Sequence, residues 1–154
     1  MFRTWLVIGL VLIFAVSGFA AQIKPATKEE IQQTISTINQ YIDSGRENIV
    51  EIYSNAIEIE KRAVNPYLAE VIAKKILSSS KISEKEFNLI RKSHSFSEIS
   101  IAWAISQIGK VPIKKVLEEI ENSTLEDVLE KYACGCQYIS AKILELNPEK
   151  KVKN

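Results

Sequence analysis

Cysteine offers this chain its richest chemistry, and its two copies stand together as Cys134-Gly135-Cys136. Two thiols one residue apart can close a small strained disulfide, which oxidises other thiols more readily than a relaxed one does. As thiolates they would also favour a soft metal such as Cu(I), with further ligands drawn from a second chain. Both readings meet resistance. A redox dithiol normally opens a helix on a βα scaffold with C-x-x-C spacing, and no strand is readable here. There is no third cysteine. The blander reading is two half-buried small side chains at a tight turn, or a bridge between protomers. Cys134 and Cys136 remain the candidates for a metal or thiol site.

The one histidine, His94, lies between Ser93 and Ser95 in a short polar link and reads as a solvated side chain. A single histidine cannot complete twice the carboxylate–histidine pattern of di-iron bundles. Glu51, Glu58, Glu60 and Glu70 read as the solvated face of helices with Lys partners. Nucleophile-elbow, P-loop, dinucleotide and zincin motifs are absent. These residues assign no catalytic group and no cofactor, so an enzyme is not the expected reading. Leu125 to Leu144 has the helix–Gly turn–helix outline of a DNA reader, but Glu130 and Lys131 occupy the places that want apolar and small residues.

Charge agrees. The chain of 154 residues carries 20 Lys+Arg against 19 Asp+Glu, and Arg3 is the only charge in residues 1–20. The remainder is therefore balanced, without the basic footprint of a nucleic-acid binder. Four Pro, five Gly and 25% charged residues exclude collagen-like, low-complexity and disordered classes. Met1 to Arg3 is a short positive start, Trp5 to Val16 is apolar, and Gly18-Phe19-Ala20 suits signal peptidase. Residues 1–20 are read as a cleaved signal peptide, which places the protein in the periplasm or outside the cell. The alternative is an uncleaved inner-membrane anchor, since Trp5 to Ala21 reaches the lower limit of a spanning length.

The elements that must position these residues are helices. Residues 21–26 read as a linker. Thr27 and Glu30 form a capping box, after which Ile31, Ile35, Ile38, Ile42, Gly45, Ile49, Ile52, Ala56, Ile59 and Ala63 alternate at spacings of four and three. Preserved phase favours one long helical arm over 27–65, kinked at Gly45. Asp43-Ser44-Gly45 is the opposing signal, for an antiparallel hairpin. Asn65-Pro66 opens the next helix, Ser83/Glu86 a short one, and Ser95/Glu98 a helix apolar all round from Phe96 to Ile108, closed by Gly109. Pro112 starts an amphipathic helix with Ile113, Val116, Leu117 and Ile120 on one face. Ser123/Glu126 reads as a further capping box, and the Cys134–Cys136 turn leads to a last helix stopped at Asn147-Pro148. The fold class is all-α: a heptad arm, a compact orthogonal bundle over 66–146, and a basic flexible tail over 147–154.

The run Ile101-Ala102-Trp103-Ala104-Ile105-Ser106-Gln107-Ile108-Gly109-Lys110, with Val116-Leu117 and Gly135, resembles a helical module of bacterial exported proteins of unknown function. The resemblance spans about residues 96–136. It departs where that module often has Trp opening its third helix, since Leu125 stands there. It implies a compact extracytoplasmic helical domain and no activity.

The expected function is therefore a non-catalytic interaction or structural module. It would bind itself or another extracytoplasmic protein, without nucleic acid, through Ile31, Ile35, Ile38, Ile42, Ile49, Ile52 and Ile59. The alternative is a thiol redox or soft-metal-handling protein using Cys134 and Cys136.

Overall fold

The computed structural model describes residues 22–149. The expected signal peptide and the last five residues of the basic tail lie outside them. Eight α-helices and a 3-10 turn account for the fold, with no strand among the described residues. The all-α expectation holds.

Helix α1 (Lys28–Asp43) opens on the Thr27/Glu30 capping box, both of whose hydrogen bonds form. It does not continue into α2 (Glu47–Arg62). Gly45 takes φ +70°, with Gly45 N–H bonded to Ile42 O and Arg46 N–H to Tyr41 O, each at 3.0 Å. That is the Schellman pattern, and it resolves the arm into a hairpin. The helices run antiparallel. Tyr41 stacks on Tyr53 near the turn, Thr34 meets Glu60 further along, and Ala26 N–H reaches Ala63 O at the open end. The heptad phase survives the turn without a continuous helix.

Helix α3 (Pro66–Ser80) starts from the Asn65 cap with proline in its first turn, as read. A short α4 (Glu84–Ile90) leads to α5 (Phe96–Gly109), the central helix. Ten of its residues are buried, including Ser97, Ser100 and Ser106. Their hydroxyls are satisfied by Glu60, Phe96 O and Val111 O, so small polar residues let neighbours approach without stranding a donor. Helix α2 packs on α5, and α8 (Cys136–Ile143) wedges against both. Helix α6 (Ile113–Asn122) covers α5 elsewhere, with α7 (Leu125–Lys131) behind it. Helix α1 lies outermost, and its one substantial helical neighbour is α2.

Three local expectations need correcting. The linker 21–26 is part of the core at its described end, because Ile23 and Ala26 are buried. The last capping box is Thr124/Asp127, one residue beyond Ser123/Glu126. Gly109 does not cap α5; Lys110 takes the left-handed conformation at φ 53°, and Gly109 stays helical. A Cβ on Gly109 would come within 3.3 Å of the Tyr132 Cβ, so close packing explains that glycine.

Candidate functional site

The isoleucine stripe divides at the hairpin. Ile49, Ile52 and Ile59 are buried in the chain's own core and offer a partner nothing. Ile31, Ile35 and Ile38 are half-buried and Ile42 is 55% exposed. None of the four belongs to the main core cluster or to the side chains packed directly against it. Thr34 and Tyr41 turn toward α2, so on a helix of 3.6 residues per turn the four isoleucines share one flank of that contact. Glu30, Gln33 and Thr37 occupy the other flank and line a cleft of about 180 Å³ with His94, Tyr53 and Glu98. One side of the hairpin thus faces the body of the fold. The other carries isoleucine.

The inner side is polar. Arg91, fully buried, donates from Nη1 and Nη2 to the two Glu30 carboxylate oxygens at 3.0 and 3.2 Å. Its Nε bonds Lys24 O at 3.2 Å, Nη2 bonds Pro25 O at 3.0 Å, and Nη1 also bonds His94 O. All five donors are used, and the guanidinium lies 4.5 Å from the Phe96 ring centroid. Burial pushes the Glu30 carboxyl up, but Arg91 and the Thr27 N–H outweigh it and hold the carboxyl below its ordinary value. Glu60, expected on a solvated face, has no exposed surface. Thr34 Oγ1 and Ser97 Oγ donate to its Oε2 at 2.7 and 2.8 Å. Glu58 and Glu70 do pair with lysines at the surface.

His94 is not solvated either. Its Nε2 lies 3.2 Å from Glu121 Oε1 and its Nδ1 3.6 Å from Glu98 Oε2, with 14% of the side chain exposed. Ring and carboxylates tie the α4–α5 link to α6. Among the described residues no group of three or more His, Cys, Asp or Glu is placed to hold a metal.

The cysteines are both free thiols in unlike settings. Cys134 is buried, its Sγ 3.5 Å from Tyr132 O, and burial pushes its thiol pKa up. Cys136 is half-buried at the start of α8 and lines a cleft of about 420 Å³ with Arg46, Asn48 and Glu126. Arg46 is already ion-paired to Glu126 at 2.7 Å. Ala133, at φ 52°, makes the turn; Gly135, the expected turn residue, is not left-handed.

No described helix is long and apolar enough to cross a membrane. No family model, curated protein or solved structure matches this chain.

Proposed function

We propose that this chain is an exported, non-catalytic interaction module whose docking surface is the outer face of α1. One observation carries the reading: Ile31, Ile35, Ile38 and Ile42 form a continuous apolar stripe that the chain's main core does not use. Burying such a stripe on a partner helix recovers about 25 cal/mol per Å² removed from water. Export rests on residues 1–20. A photo-crosslinking residue at Ile42 tests the docking surface in cells producing the full chain. Adducts that depend on irradiation are expected; their absence would remove the proposal.

A second reading uses the thiols, and the exposure of Cys136 to its cleft favours it. Cys134 and Cys136 would then cycle between dithiol and disulfide by exchange with an external disulfide, which leaves as two thiols, and back with external thiols, or hold a soft metal. Alkylation of the native protein followed by mass spectrometry decides. The structural role expects prompt labelling of Cys136 and slow labelling of Cys134, with no metal bound, because burial disfavours the Cys134 thiolate. A mass two hydrogens lower in untreated protein would support the redox reading instead.

A further inference from the structure

We propose that the outer face of the α1–α2 hairpin binds a second copy of this chain, closing a four-helix arrangement across a two-fold axis. The inference rests on the docking reading above and names its partner.

Three observations point to self-association. First, the face spans both helices. Val50 and Ile57 fall seven residues apart along α2, on the side of Tyr53 and Glu60 away from α5, and Val64 follows in the turn after the helix. Ile57 is buried at the base of this face, Val50 is half-buried and Val64 is 41% exposed. Beside them run the α1 isoleucines at spacings of four, three and four. These are the stripes two helical hairpins need in order to pack as four helices.

Second, residues 31–42 contain no charged side chain, in a chain that is 25% charged. A two-fold contact sets residues against their own counterparts, so any charge near the axis would face its like. A heterologous partner selected by charge would find none to match along α1, while on α2 the exposed Glu58 and Lys61 are already paired with each other. Third, the exposed rim of α1 holds Gln32, Ser36 and Asn39, each carrying both donor and acceptor. Such side chains can pair with themselves. Two helices of 16 residues give a footprint of roughly 24 by 20 Å, which is below the roughly 800 Å² per partner of a standard stable interface and in the range of weak, reversible contacts. The dimer should therefore depend on concentration.

Sedimentation velocity of the full chain in reductant, across a concentration series, is the test. Expected is a reversible monomer–dimer equilibrium that Ile38→Glu weakens on the order of a hundredfold. Because Ile38 is half-buried, Asn39→Glu provides a second variant; Asn39 is exposed, so a folded protein with weakened association is expected. Helical circular dichroism checks both. A wild type that stays monomeric throughout, or a dimer indifferent to both variants, overturns the proposal. The Ile42 crosslinker separates this failure from that of the docking reading. An adduct of twice the chain mass supports self-association. An adduct to a different protein overturns it while leaving docking intact, and a link to residues 1–21 of the same chain overturns both.

Discussion

Removing the buried Arg91 guanidinium would leave the half-buried Glu30 carboxylate and the carbonyls of Lys24, Pro25 and His94 without its hydrogen bonds. Breaking a buried pair from one side costs about 3 kcal/mol or more, so Arg91→Met should markedly lower the thermal midpoint measured by circular dichroism. Glu30 also makes stability depend on pH. Its pKa is lower in the folded protein, so the unfolded chain binds the proton more readily. The contribution is therefore present above the ordinary carboxyl value near 4.5 and drains away as pH falls through the lowered folded value. A wild-type minus Glu30→Gln difference in denaturation free energy should shrink over that acid range and be flat at neutral pH. Neither role was legible in the sequence. Arg91 ends a short helix beside Lys92, and nothing in spacing separates the buried cation from the exposed one. Glu60 could have been found, because it lies four residues after Ala56 and three before Ala63, both buried. A carboxylate on an apolar stripe implies hydroxyl partners, here supplied by Thr34 and Ser97.

Helix ends were the most legible elements, because a capping box is local chemistry. Thr27/Glu30, Ser83/Glu86 and Ser95/Glu98 form as read. Helix C-termini were harder. Four left-handed residues follow helices, at Gly45, Lys81, Lys110 and Ala133, and only the first is glycine. Searching for glycine finds the first, misses Lys81, and misplaces Lys110 and Ala133 onto Gly109 and Gly135. Those two serve close approach, to Tyr132 and Tyr138 respectively. Opposite substitutions should then have opposite signs. Ala133→Gly and Lys110→Gly relieve a left-handed Cβ and should each stabilise by about 1 kcal/mol in urea denaturation. Gly45→Ala meets no atom within 4 Å, yet its φ of +70° should cost about 1 kcal/mol by backbone strain alone.

At the scale of the molecule, the heptad register of residues 31–63 was readable and its partner was not. One repeat serves two environments: α2 spends its isoleucines on α5 and α8, while α1 keeps its own at the surface. Periodicity states which residues share a face and is silent on what covers it. If a second copy covers this one, mass action links folding to association. The wild-type thermal midpoint should rise with protein concentration, and that of Asn39→Glu should not. The Arg91 clamp has a temporal consequence as well. Glu30 is 61 residues from Arg91 along the chain, and Lys24 is 67, so the leading end of the fold cannot lock until that arginine has left the ribosome. Closing so long a loop early is entropically unfavourable. In a nascent chain of this design the α1–α2 hairpin can close on its own contacts, while the segment before it stays unclamped until Arg91 emerges.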